Sequence, residues 1–150
     1  MSETHSPDRT VIPPFWVVKV LNGIQGLFYK LSKRFVPPAV WMTGHIENFW
    51  LSRGIVTVIE LNIAEHIKNG NNSIEKLAEI TGTDQDALFR LMRMLCAHEI
   101  FKLRKNKTYS LTPYSKVLLE DNNSVKYFIL SHMGDLHYDL FAEMRNTVTT

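Results

Sequence analysis

Cysteine occurs once in the 150 residues, at Cys96, so no disulfide framework can form within one chain. A lone thiol at the edge of a helical apolar stripe reads as a small buried hydrophobe rather than a nucleophile, and it suits a reducing cytoplasm. No run of about eighteen uncharged apolar residues is present, so no membrane span is expected. Residues 1–12 are mostly polar, lack the apolar segment of a secretory leader, and are expected to form a disordered tail. The seven glycines are scattered, and no GxGxxG follows a strand, so no nucleotide-type cofactor site is expected in this chain. The six histidines have neither HxH nor HExxH spacing, so no metal site is expected. A net charge of +2 is too close to neutral to argue for nucleic acid by itself. No catalytic set is visible.

What the sequence does have is a well-punctuated stretch at residues 73–113. Ser73 is placed to cap a helix whose inner side is Ile74, Leu77, Ala78 and Ile80. Gly82 suits the left-handed residue that ends it. Thr83, with Asp86 three residues on, is read as the cap of a second helix, in which Leu88, Leu91, Met92 and Leu95 recur at i, i+3, i+4 and i+7. Residues 101–103 and 108–111 alternate like two short strands around a Lys105-Asn106-Lys107 turn. Thr112-Pro113 then starts a new helix, expected over 113–119. Two helices in close succession followed by a hairpin predict a winged helix-turn-helix, so the chain is mainly α with one small β-hairpin.

An N-terminal helical extension, residues 13–45, precedes this winged helix of residues 46–134. From Phe15 to Phe35 the apolar residues Val17, Val20, Leu21, Ile24, Leu27, Phe28, Leu31 and Phe35 fall on one face, and Lys19, Lys30 and Lys33 on the other. Pro37-Pro38 ends that helix. Such a stripe needs a cover: protein, a partner subunit, or an anionic membrane surface facing the basic side. A second long helix, 39–60, carries more apolar residues than one stripe holds and is expected to be buried on several sides. A short helix over 63–68 and helices over 125–133 and 135–148, meeting at Gly134, complete the pattern. The last segment, 135–150, reads as a connecting helix cut before a further domain.

Two surfaces bear on function. The second helix of the winged motif has Arg90 and Arg93, but also Asp84, Asp86, Phe89 and Met94 outward, a mixture that favours protein over phosphate. Lys102, Arg104, Lys105 and Lys107 on the wing are the residues that keep a DNA-binding transcription regulator as the alternative. Met133, His137 and Phe141 are spaced i, i+4, i+8. With His132 and Tyr138 nearby, they form either a packing stripe or the wall of an aromatic-substrate pocket, provided the helix runs through Gly134.

The runs IELNIAEHI, SIEKLAEITGTDQDALFRLMRMLCAHEIF and YSLTPYSKVLLED, in that order, resemble the N-terminal dimerisation domain of S-adenosylmethionine-dependent small-molecule O-methyltransferases of the hydroxyindole, caffeate and polyketide type. The resemblance covers about residues 49–144. It implies a homodimer, and a winged helix that covers the acceptor pocket of a Rossmann-like domain lying beyond this chain. The enzyme it implies is a cytoplasmic O-methyltransferase that uses S-adenosylmethionine on a small aromatic hydroxyl acceptor. The methyl donor and the catalytic histidine of such enzymes lie in that second domain, so this chain alone is expected to be inactive and to bind no specific nucleic acid. The substrate-pocket candidates are Trp50, Met133, His137, Tyr138 and Phe141; the dimer-interface candidates are Ile24, Leu27 and Phe28 at the middle of the first apolar stripe, with Phe49 and Phe89. The family usually has glycine where this chain has Asn62 and Glu99. Asparagine tolerates left-handed geometry, whereas Glu99 does so less readily and is expected to distort the entry to the hairpin.

Overall fold

Two consecutive prolines separate the long helices at the start of the chain. In the computed structural model, which describes residues 14–121 and 124–149, α1 runs Phe15–Phe35 and α2 Pro38–Glu60. Val36 is extended, and Pro38 takes the first position of α2, where a missing N–H costs nothing. The expected disordered tail lies outside the described residues. The chain divides into two units, residues 1–46 and 47–150.

In the first unit α1 buries none of its residues. Its apolar stripe stands exposed, Phe28 at 65% and Leu27 at 67%. No described helix is long and apolar enough to cross a membrane. The first part of α2 is likewise uncovered at Val40, Met42 and Ile46.

In the second unit the chain builds α3 (Ile63–Lys68), α4 (Ile74–Thr81), α5 (Gln85–Ala97), the strands β1 (Phe101–Leu103) and β2 (Tyr109–Leu111), then α6 (Pro113–Lys116), α7 (Lys126–Met133), α8 (Asp135–Ala142) and α9 (Met144–Thr149). The core gathers Val58 and Ile59 of α2, Ile63 and Ile67 of α3, Leu77 of α4, Leu88, Met92 and Leu95 of α5, and Phe101 and Tyr109 of the hairpin. β1 and β2 pair antiparallel with Phe101 opposite Leu111 and Leu103 opposite Tyr109. Ser73 bridges Thr108, and the Tyr109 N–H donates to the Asn72 carbonyl at 2.7 Å, so the wing is sewn to the start of α4. This is a winged helix-turn-helix within a mainly α chain.

Several local readings need correction. The burial of α2 on several sides is confined to its C-terminal part, at Gly54, Val56, Val58 and Ile59. Asp84, not Thr83, caps α5: its carboxylate accepts the Ala87 N–H at 2.7 Å, while the Thr83 hydroxyl pairs with that of Thr81. Ile80 faces outward on α4, and Met94 packs onto the core instead of pointing away from it. Helix α6 stops at Lys116. The expected single helix over 135–148 is two, broken at Glu143.

The helix ends explain the hairpin entry. At the end of α3 the Asn71 N–H reaches the His66 carbonyl and the Gly70 N–H that of Ile67; at the end of α4, Thr83 reaches Ala78 and Gly82 reaches Glu79. Both are Schellman turns, with glycine in the left-handed position. Helix α5 ends the same way, Ile100 N–H to Leu95 and Glu99 N–H to Cys96, but the left-handed residue is Glu99 at φ 61°. The hairpin that follows keeps regular pairing, so the expected distortion is absent. The turn's two hydrogen bonds and the burial of Phe101 hold a backbone that glutamate disfavours. Glu99→Gly should therefore stabilise the protein by about 0.5–1 kcal/mol, the relief of the left-handed penalty exceeding the added chain entropy. A urea midpoint unchanged or lowered would contradict this.

Thr112 anchors the other side of the hairpin. Its hydroxyl donates to the Ile100 carbonyl at 2.7 Å and accepts from the N–H of Tyr114, while its own N–H donates to the buried Ser115 hydroxyl at 2.8 Å. The reciprocal capping box places α6 across the end of the sheet.

Candidate functional site

Gly134 decides the shape of the region after the wing. Its backbone is extended, ψ 174°, and a Cβ built there would lie 2.4 Å from the Leu130 carbonyl oxygen. Helix α7 ends at Met133, and α8 sets off anew at Asp135, so the helix does not run through Gly134. The i, i+4, i+8 face expected of Met133, His137 and Phe141 is therefore not a helical stripe.

The break instead helps form a cavity of about 320 Å³ with the middle of α2, lined by Phe49, Arg53, His132, Met133, Tyr138 and Phe141. Phe49 and Tyr138 stack with centroids 6.0 Å apart and planes 27° from parallel. The Arg53 guanidinium lies over the Tyr138 ring at 5.0 Å. One of its nitrogens donates to the Met133 carbonyl at 3.2 Å and another to the Asp135 carboxylate at 3.1 Å. Arg53 thus holds the end of α7 and the start of α8 against α2. His132 is pinned by Nδ1, 2.9 Å from both the Phe128 carbonyl and the Ser131 hydroxyl, and its ring stacks on Phe128 at 4.2 Å. Flat rings, a thioether and one cation make a space suited to a planar aromatic molecule with a polar edge.

Of the substrate-pocket residues expected from the sequence, Met133, Tyr138 and Phe141 come together on this cavity. His137 is not part of the lining and stacks on His132 at 6.1 Å. Trp50 stands 62% exposed, off the lining. Phe49, expected at a dimer interface, lines the cavity. Ile24, Leu27 and Phe28 share the open face of α1, and Phe89 is 38% exposed on α5. Sequence reasoning passed over Arg53. Its position one helical turn after Phe49 was the available signal, but a single arginine among polar neighbours does not stand out.

The remaining chemistry is sparse. Burial pushes the Cys96 thiol above its ordinary pKa, which leaves it protonated and unreactive at neutral pH. No cluster of three metal-ligating side chains occurs among the described residues. Among the described residues the sheet is one antiparallel hairpin, followed by Thr112-Pro113.

A family model, the O-methyltransferase dimerisation domain, matches residues 43–121. The phenazine-1-carboxylate N-methyltransferase of Pseudomonas aeruginosa is 34% identical over 88 residues, 59% of this chain and 26% of that protein. O-methyltransferase 9 of Dictyostelium discoideum is 30% identical over 108 residues, 71% of this chain and 29% of that one. Among solved structures, the pyocyanin biosynthetic protein PhzM superposes with a TM-score of 0.66 at 28% identity, over 74% of this chain and 34% of its own. The chain therefore spans about a quarter to a third of the length of these relatives. With a winged helix in place and more than half of its residues inside the matching model, the chain belongs to the O-methyltransferase dimerisation domain family.

Proposed function

We propose that this chain pairs two copies of an S-adenosylmethionine-dependent O-methyltransferase and covers the acceptor site of each, the acceptor being a small aromatic molecule with a hydroxyl group. The observation that carries the pairing is the uncovered apolar face of α1, with Ile24, Leu27 and Phe28 at its middle and Phe89 on α5 as a further contact. A face of that size on one helix exceeds what a monomer ordinarily leaves in water. The aromatic acceptor is supported by the ring-lined cavity at Phe49, Met133, Tyr138 and Phe141, and by the phenazine named for one relative. Residues 135–150 would then lead into the domain that holds the methyl donor and the catalytic histidine. These residues take no part in methyl transfer; they bind, orient and shield. A cytoplasmic setting suits the single cysteine.

The reading as a DNA-binding regulator makes a different prediction. The exposed side of α5 presents Phe89 between acidic and basic residues, so duplex DNA should bind weakly, with similar affinity for unrelated sequences, and release in physiological salt. Fluorescence anisotropy with labelled duplexes measures this. A chosen sequence held at nanomolar Kd in that salt would establish the regulator instead.

A further inference from the structure

We infer that the cavity between α2, α7 and α8 takes a flat aromatic ring that carries a carboxylate, and that Arg53 reads the carboxylate. The inference deepens the proposed function, since it rests on the cavity being an acceptor wall. Its volume of about 320 Å³ lies in the range that holds a small ring system. Phe49, Tyr138 and Phe141 offer ring faces and edges, and Met133 adapts to the outline. Among the described residues Arg53 is the one Lys or Arg in the lining, and its guanidinium is held by the Met133 carbonyl and the Tyr138 ring.

The only anion Arg53 meets among the described residues is Asp135, and that pair is loose. A single contact of 3.1 Å joins them, and the Asp135 side chain is 78% exposed, against 31% for Arg53. A guanidinium has five N–H donors in a planar fork, and only two contacts here use them. A ligand carboxylate arriving on an aromatic ring can engage the remaining donors or take Asp135's place, with a paired geometry that Asp135 does not reach. A neutral ring has the same stacking partners but nothing to offer Arg53.

The test uses 1-naphthoate and 1-naphthamide, matched in ring and differing in charge, titrated calorimetrically into the 150-residue chain in a buffer free of carboxylates. The expected result is naphthoate binding about tenfold tighter than the amide. Arg53→Gln should remove the preference, so that naphthoate and the amide bind the variant with equal affinity. Asp135→Asn, at an exposed position that a folded chain tolerates, should tighten naphthoate severalfold by removing its competitor. An Arg53 that served only to clamp α7 to α8 would give no such gain. If both rings bind equally to the wild type, the carboxylate inference is overturned and the aromatic acceptor wall stands. If neither binds up to millimolar concentration, the acceptor-wall reading fails and the inference with it. Should Arg53→Gln unfold, Asp135→Asn decides: naphthoate affinity unchanged or weakened overturns the inference.

Discussion

Truncating Phe101 to alanine should cost about 3–5 kcal/mol, the usual effect of removing a buried aromatic ring and leaving a cavity. Phe101 is 1% exposed and sits where β1 meets α5, in the same cluster as Met92, Leu95 and Tyr109. It also leads out of the Glu99 turn, so its packing is what pulls the hairpin onto the helices. A winged helix of this size has a total stability of about 4–11 kcal/mol. The loss is therefore between about a quarter and the whole of it, and the urea midpoint followed by helical circular dichroism should fall clearly. Phe89→Ala, on the open side of α5, should shift stability by less than about 1 kcal/mol. Equal midpoints for the two variants would contradict the placement of Phe101 in the core.

The second large effect concerns association. Ile24→Asp combined with Phe28→Asp places two carboxylates mid-way along the apolar face of α1, where no cation of the same face answers them. Burying either charge unpaired is worse than leaving it in water by at least about 3 kcal/mol. Dimerisation should weaken more than a hundredfold, giving monomer or aggregate. Because α1 contributes no buried residue to the protomer, helical circular dichroism should show the winged helix of the variant still folded. A double variant that remains dimeric would place the interface elsewhere.

Much of the fold was legible because each element carries its own punctuation. Ser73 caps α4 and accepts the Lys76 N–H, Gly82 closes it in the left-handed region, and Thr112-Pro113 opens α6, all from side chains that act within a few residues. The bounds of α1 followed from proline and periodicity, and those of α3 from Asn62 before it and the Gly70-Asn71-Asn72 turn after it. The cap of α5 was misplaced because Thr83 and Asp84 both suit the role; the Thr81 hydroxyl engages Thr83 and leaves Asp84 to receive the Ala87 N–H.

The cavity was harder to read. Its residues come from segments about eighty positions apart, as the Arg53 contact with Met133 shows. Local patterns placed two helices meeting at Gly134, as they do, and made a shared face of Met133, His137 and Phe141 conditional on a helix running through it, and none does. Met133, Tyr138 and Phe141 nevertheless meet on the cavity, where Arg53 of α2 donates to the Met133 carbonyl at the end of α7. Glu99 shows the opposite limit: the family comparison pointed to its strained position, yet only the surrounding packing shows that the strain is tolerated without distortion.

Sedimentation equilibrium of the unmodified chain, from low to high micromolar concentration, tests the pairing most directly. The expected result is a species with the mass of two 17.4 kDa chains across that range. A mass of one chain at every concentration would contradict it, and the apolar face of α1 would then call for a different cover, with an anionic membrane surface first in line.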